Sequence, residues 1–407
     1  MKTDIMRNID YHLGRLLCFF LSWHHRFNRI FLKNKEVNKL EHDKILFIKM
    51  SEMGAIILSY PAIKEIKKKY PEAQLFFLTM DENKEVLDLI NLVSRKNYLI
   101  VRSNSFVNFV YDTVKNLFIL RKIKVDIVYN LDIFTRYSLS MSYLCGAQRR
   151  RGFIDKAGRA GYLGDLLNDS INYDIKLHTS INYLKLTCRE EGVVIGTTEE
   201  LIKNYQLPKI ISSRKSMAII KEKLKQQGFL YDTKKNIILL NHNASEKISI
   251  RKWPLDSFIL LAKKTLDCNY NNHIIIIGTN LDGLEAEKIK RNIDSPRVID
   301  FTGKVTIKEL IDLFNLSHLL ITNDSGPAHF ASLTNIKIFD IFGPETPNSF
   351  SPISPNLMNF YSNYPCSPCI SIYNQKKTNC KKALCLDRIS VDSVYEEILK
   401  LKTQAVL

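Results

Sequence analysis

Short, strongly apolar runs recur along this chain. Each is closed by a polar turn and followed by a stretch whose apolar residues fall at helical spacing. KILFIKM (44–50), QLFFLT (74–79), NYLIVR (97–102) and VDIVYNL (125–131) read as strands of an amino-terminal half. The rhythm restarts with NIILLN (236–241), HIIIIG (273–278), RVIDFTG (297–303), HLLITN (318–323) and IKIFDIFG (336–343). Strands alternating with helices predict α/β structure with parallel sheets and crossover helices. Two passes of the rhythm predict two such halves, with a boundary near 205–230 that the helix SMAIIKEKLKQQGF is placed to bridge. The expected organisation is an amphipathic extension (1–40), a first α/β domain (41–215), a second (216–345), and a cysteine-containing tail with a terminal helix (346–407). Ligands of such sheets bind beyond the carboxyl ends of the strands, and the cleft between two halves is the default site.

With 407 residues, 45% of them hydrophobic, the chain can bury two cores. Lys and Arg number 59 against 42 Asp and Glu, a net charge of +17. A chain this basic seeks polyanions: nucleic acid, anionic lipid or phosphate-bearing substrates. The runs KEIKKKY (64–70) and QRRRGF (148–153) read either as nucleic-acid contacts or as a solvated helix face and a loop. No recognition motif accompanies them, so nucleic acid is not expected as a partner. No window reaches the ~18 apolar residues of a membrane-spanning helix. Near the start, Leu16, Phe19, Phe20, Trp23 and Phe27 recur at helical spacing among Arg15, Arg26 and Arg29. No small-residue cleavage site follows, which argues against a signal peptide. The stretch reads as a helix lying on an anionic membrane surface, or as one packed on the protein's own body. Cys18, Cys145, Cys188 and Cys268 sit singly in apolar segments, as buried thiols of a cytoplasmic protein do.

Two loops carry candidate chemistry. In ITNDSGPAHFAS (321–332) a strand ends and a helix begins. Ser325 is placed to cap that helix, whose first N–H groups would face an anion. Gly326 admits a phosphate close to the backbone, and Pro327 suits a first turn. Asp324 would repel a phosphate; it makes sense as an acceptor for a sugar hydroxyl, or as a group orienting His329. The alternative is a capped turn with a buried acid. NHNASEKISIRKWP (241–254) also follows a strand and offers small polar residues, Ser245 among them. Its Arg251 and Lys252 could neutralise a diphosphate, or the stretch could be a surface loop anchored by Trp253.

Together, with FTGKVTIKEL between them, these loops resemble glycosyltransferase family nine, the ADP-heptose–lipopolysaccharide heptosyltransferases and their relatives. The hallmark D-[ST]-G-P-x-H-x-A is matched by Asp324, Ser325, Gly326, Pro327, His329 and Ala331. A basic-W-P stretch matches Arg251 to Pro254, and T-G-x-x-x-[IL]-x-E-L matches Thr302 to Leu310. FGPETP (342–347) also fits, and residues 44–79 and 131–153 look like the family's amino half. The resemblance implies a GT-B architecture, two facing Rossmann-like domains with an interdomain cleft. It implies an inverting, metal-independent transfer of a hexosyl or heptosyl unit from a nucleoside diphosphate sugar, with no cofactor required. The implied acceptor is a lipopolysaccharide core, O-antigen or related lipid-linked glycan, at the cytoplasmic face of the inner membrane. Carried over by position, Asp324 holds sugar hydroxyls, Ser325 and Gly326 give amides to phosphate, and Arg251 or Lys252 balances the leaving charge. His329, Ser245, Gly278 and Gly303 complete the donor set, and Glu285, soon after Gly278, is assigned to the ribose.

One departure stands out. The family commonly has Gly-Asp after its first strand, the Asp being the proposed base, whereas this chain has Gly54–Ala55. Glu52, at the same strand end, is the first candidate to replace the lost acid, and Asp132, on the neighbouring strand end, the second. If neither serves, the chain is an inactive homologue that binds sugar nucleotides or glycans. In the tail, Cys366, Cys369, Cys380 and Cys385 are spaced as C-x2-C-x10-C-x4-C. They read as ligands of a structural zinc or iron–sulfur cluster, or as free or disulfide-paired thiols.

Overall fold

In a computed structural model that describes residues 3–31, 43–188, 196–244, 246–374 and 378–403, the chain divides into two units, Met1–Leu201 and Ile202–Leu407. In the first, β1 (Lys44–Ile48), β2 (Gln74–Met80), β3 (Tyr98–Val101), β4 (Ile127–Asn130), β5 (Arg149–Ile154) and β6 (Asp169–Asn172) form one sheet in the order β3-β2-β1-β4-β5-β6. Every pairing is parallel. Helices cover the interior strands on both faces, which is why β1 reads as continuous apolar residues rather than an alternation. The second unit repeats the plan with β7 (Asn236–Asn241), β8 (Asn272–Ile276), β9 (Val298–Asp300), β10 (Leu319–Asn323), β11 (Lys337–Phe342) and β12 (Leu357–Tyr361). Its order is β12-β11-β10-β7-β8-β9, again all parallel. In each sheet the strand order reverses once, between β1 and β4 and between β7 and β10. Connections leave the two strands in opposite directions there, so a crevice opens at their carboxyl ends.

The structure departs from the sequence reading at several points. QRRRGF is neither a nucleic-acid patch nor a solvated loop, because it supplies the interior strand β5. Arg149 and Arg151 point to one face, where Asp169 Oδ2 of β6 accepts from their Nε atoms at 2.7 Å each. Arg150 points to the other face. β12 joins the second sheet from within the expected tail, and the terminal helix Val391–Thr403 packs Val394, Ile398 and Leu401 into that unit's core. The helix Arg214–Gln226 belongs to the second unit, where Ser216 donates to Asp312 and Lys223 pairs with Glu309.

The amino-terminal helix, Thr3–Phe31, packs on the first unit by a narrow face of small residues. A Cβ at Gly14 would stand 2.9 Å from Arg136 Cβ. Cys18 is buried against Ser140 and Leu139, and Ser22 Oγ accepts from Asp165 N at 2.9 Å. Asp10 accepts from the N–H groups of Arg136 and Tyr137, which start the helix Arg136–Leu144. The aromatic stripe points away: Leu16, Phe19, Phe20, Trp23 and Phe27 are all exposed. No helix among the described residues is long and apolar enough to cross a membrane.

Burial raises the Asp169 carboxyl pKa, but the hydrogen bonds from Arg151 and Arg149 outweigh it, and the net shift is downward. A carboxyl depressed in the folded state stabilises above its unfolded pKa and ceases to as pH falls. Asp169→Asn is therefore expected to lose about 3 kcal/mol of unfolding free energy at pH 7, the cost of stranding buried cations. The deficit should narrow below about pH 4. Urea unfolding at the two pH values checks both.

Candidate functional site

At the switch point of the second sheet, two asparagines tie the strand ends together. Asn241, the last residue of β7, donates from Nδ2 to Thr322 Oγ1 at 2.8 Å and Ser325 Oγ at 3.0 Å. Asn323, the last residue of β10, donates from Nδ2 to His242 O at 2.9 Å, and its Oδ1 accepts from Trp253 N at 2.8 Å. Trp253 is itself fixed: its indole N–H donates to Ile389 O at 3.0 Å and its ring meets Phe258 edge-on. Ser325 stands at the cap position of the helix Gly326–Ala331, but its hydroxyl makes no capping bond, because Asn241 and Thr322 engage it instead. His329 lies in that helix, largely buried.

The charged candidates are brought together in pairs. Arg251 Nη1 donates to Asp324 Oδ2 at 2.9 Å and lies 3.7 Å from Glu345 Oε2. Lys252 Nζ meets Glu285 Oε2 at 2.9 Å. Gly303 N donates to Gly278 O at 2.9 Å, joining the loops after β8 and β9. Ser245 lies outside the described residues. Asp324 therefore already has a cation as partner, and neither basic residue reaches a ligand without sharing its charge with a carboxylate.

Sequence reasoning missed several neighbours. Glu345 was legible only as part of FGPETP. His242 is buried, and neither ring nitrogen has a hydrogen-bond partner among the described residues. Burial pushes its pKa down against the pull of Glu285 and Asp282, so the ring is neutral at pH 7. Asp340 of β11 pairs in register with Thr322, is 1% exposed, and has no hydrogen-bond partner at either oxygen among the described residues. Burial first, and then the charge of Asp324, drive its pKa well above the carboxylate range. It sits in the chain as one polar residue in an apolar run, which carries no signal of its neighbours.

At the switch point of the first sheet, β1 ends beside β4. Asp132 is 4% exposed and fully engaged: Oδ1 accepts from Lys49 Nζ at 2.9 Å, and Met50 N reaches Oδ2 at 3.1 Å. Burial opposes the Lys49 charge, but Asp132 and then Glu52 outweigh it, and its pKa ends raised. Glu52 is exposed, and its backbone is left-handed, with φ 71° and ψ 87°. A non-glycine residue held there costs on the order of 1–3 kcal/mol, a conflict that clusters at functional positions. Ala55 is buried in the short helix Met53–Leu58. Tyr183, fully buried, feels both Asp132 and Glu52, and its hydroxyl has no hydrogen-bond partner among the described residues.

The tail thiols are all reduced and range from exposed Cys366 to buried Cys385. Among the described residues no group of three or more His, Cys, Asp or Glu side chains is placed to hold a metal ion. Burial, and next the neighbouring Cys369, push the Cys385 thiol up to about 11, with Cys366 and Cys380 adding to the rise.

Two Rossmann-like units, each with polar loops at its switch point, give the GT-B fold. The chain belongs to glycosyltransferase family 9 (heptosyltransferase), whose family model matches residues 126–379. It is 25% identical over 315 residues to lipopolysaccharide heptosyltransferase 1 of Campylobacter coli, covering 75% of this chain and 86% of that one. Over 188 residues it is 31% identical to lipooligosaccharide heptosyltransferase 2 of Campylobacter jejuni, covering 44% and 55%. The fold matches a family 9 glycosyl transferase of Veillonella parvula at TM-score 0.67 and 20% identity, over 90% of this chain and 98% of that one. It matches E. coli ADP-heptose lps heptosyltransferase II at TM-score 0.67 and 19% identity, over 89% and 100%.

An acid whose pKa is raised on folding leaves stability intact below its unfolded pKa and erodes it as pH climbs toward the folded value. Asp340→Asn removes that erosion. The variant is expected to gain on the parent between pH 5 and pH 8, by at most about 1.4 kcal/mol per pH unit. A stability difference that stays constant across this range in denaturant titrations would contradict a neutral Asp340.

Proposed function

We propose that this glycosyltransferase moves a heptose-type or related sugar from a nucleoside diphosphate donor onto the core of a lipopolysaccharide or a similar surface glycan. It inverts the anomeric centre and needs no metal. The pinned arrangement at the β7–β10 switch point carries the donor side of this reading. There Asp324–Arg251 and Lys252–Glu285 place two cations and two hydroxyl-seeking carboxylates on adjoining loops. On donor binding the diphosphate takes up donors of Arg251 and Lys252, and the carboxylates turn to sugar and ribose hydroxyls. Arg251 has five N–H donors, so one bond to Asp324 leaves capacity for phosphate. Ser325, Gly326, Gly278 and Gly303 bring backbone close to the same ligand, and His329 lines it. The relatives named above supply the substrate class: they are lipopolysaccharide and lipooligosaccharide heptosyltransferases.

Glu52 acts as the base. It takes the proton of the acceptor hydroxyl, and the acceptor oxygen bonds to the anomeric carbon. The bond from that carbon to the diphosphate oxygen breaks, and the leaving charge falls to the cations. Asp132 has a different task, because its carboxylate is spent holding Lys49 and the Met50 amide at the end of β1. The exposed stripe of the amino-terminal helix and the +17 charge support work on the anionic cytoplasmic face of the inner membrane.

Glu52→Gln is expected to lower kcat about 10²- to 10⁴-fold, the usual span for general-base catalysis, with donor affinity little changed. Nucleoside diphosphate release with an ADP-heptose donor and a lipopolysaccharide core acceptor reads the rate. EDTA should leave it unchanged, and NMR of the product should show the inverted anomer. Full turnover by the Gln variant would remove Glu52 from the mechanism.

A further inference from the structure

One cavity in the first unit lies apart from that unit's switch point. It holds about 650 Å³ and is walled by Phe20, Trp23 and His24 of the amino-terminal helix, Tyr143, Arg121 and Arg150. Three elements meet there: the amino-terminal helix, the end of the helix Phe106–Ile123, and the Arg136–Leu144 helix running into β5.

Several cations of this unit face carboxylates, and the two arginines of the cavity do not. Lys49 faces Asp132, Arg102 faces Asp112, and Arg149 and Arg151 face Asp169. Arg150 is 7% exposed and donates only to neutral acceptors, Leu166 O at 2.7 Å and Ala147 O at 3.0 Å, while its guanidinium lies over the Tyr143 ring. Arg121 donates from Nε to Leu144 O at 2.5 Å. Neither has a carboxylate partner among the described residues. Burial lowers the Arg150 pKa, the mark of a charge that lacks its counter-ion. The backbone makes room for the second guanidinium: Gly146 has φ +84°, and a Cβ there would fall 3.2 Å from Arg121 Nη1. A buried charge without a partner is expensive, and an anion in this cavity would relieve Arg150 while the exposed Arg121 at the rim adds a second cation to hold it.

What surrounds the cavity says where that anion comes from. Trp23 is 65% exposed and Phe20 lies beside it on the same stripe as Leu13, Leu16, Leu17 and Phe27. One turn before Arg121, Phe118 is exposed, continuing a second stripe through Val107, Val110, Tyr111 and Val114. Apolar stripes flanking a pocket of cations match the layering of a lipid leaflet, with chains beside phosphates. A soluble phosphate would need the cations but not the aromatic rim.

We propose that Arg121 and Arg150 bind the phosphate of an anionic bilayer lipid, with the Phe20–Trp23 edge of the amino-terminal helix seated among its acyl chains. This rests on the membrane-surface reading above and names the site that performs it. The whole family-9 chain then docks by a built headgroup site and not by diffuse charge alone.

Vesicle flotation of the full-length protein tests it. The wild type is expected to float with phosphatidylcholine vesicles containing about one-third phosphatidylglycerol, and not with phosphatidylcholine alone. Arg121→Gln should weaken binding at least about tenfold, and Trp23→Ser comparably. Arg26→Gln, which removes an exposed cation outside the cavity, should cost far less. Equal losses for Arg121→Gln and Arg26→Gln, or no loss for Arg121→Gln, would overturn the headgroup site. Wild type that ignores anionic vesicles would overturn both the site and the membrane reading. If inorganic phosphate at matched ionic strength stabilises the protein through Arg121 while vesicles do not bind, the ligand is a free anion and the lipid assignment falls. Donor hydrolysis in vesicle-free buffer, run in parallel, should be the same in Arg121→Gln and wild type. Its absence in wild type would count against the transferase reading alone.

Discussion

The donor loops depend on one buried amide. Asn323 is wholly enclosed at the end of β10, and it spends its side chain mainly on two backbone groups that belong to other segments, with a longer bond to Asn243 O. One is His242 O after β7; the other is Trp253 N, at the start of the helix Leu255–Cys268. Each bond contributes only about 1 kcal/mol, but an unsatisfied group in that place would cost about 1–3 kcal/mol. The bond to Trp253 bears most directly on the proposed donor site. Because the indole is locked into the core, the two residues before it, Arg251 and Lys252, leave a fixed point and arrive opposite Asp324 and Glu285. A polar tie and an aromatic anchor together hold the cations where flexible side chains alone would wander.

Those cations do not wait bare for a ligand. Three carboxyls crowd one guanidinium: Asp324 and Glu345 approach Arg251, and Asp340 lies beneath them. One cation cannot hold three anions in a dry interior, so the pKa of the most buried acid, Asp340, is pushed up. The same economy governs the first unit, where Lys49 and Asp132 neutralise each other at the strand ends. Both switch points are thus electrically near balance before substrate arrives. On the proposed donor reading, a diphosphate would bind by displacing carboxylates, each of which then becomes available to a hydroxyl. The exception is the Arg121–Arg150 cavity, where no carboxylate stands in.

Most strands could be read from the chain because a strand buried on both faces writes itself as an apolar run. The loop between β10 and the following helix was legible for a similar reason: Asp, Ser, Gly, Pro and His in six positions narrow the chemistry. What escaped was everything decided by a distant partner. β5 looked like a basic turn because the compensating Asp169 lies on another strand. Ser325 looked like a helix cap because nothing local reveals that Asn241 reaches its hydroxyl from across the sheet. The amino-terminal stripe showed amphipathicity but not which face packs. Gly14, Cys18 and Ser22 settle that, since small residues let the helix lie close on Arg136–Leu144 and turn the larger aromatics outward.

The same distinction bears on the acid missing at residue 55. A proton acceptor in the first unit needs a place at the carboxyl end of β1 and an exposed carboxylate. Asp132 meets the first condition and fails the second, since Lys49 and the Met50 amide occupy it. Glu52 meets both. Its left-handed backbone would be relaxed by glycine, and glycine would serve as well if the residue only turned the chain into the helix Met53–Leu58. A carboxylate kept in a conformation that disfavours it is the kind of local conflict that functional positions carry. On the proposal that Glu52 is the base, a turn of unusual backbone brings a charge to the end of β1 from a different residue of the same loop.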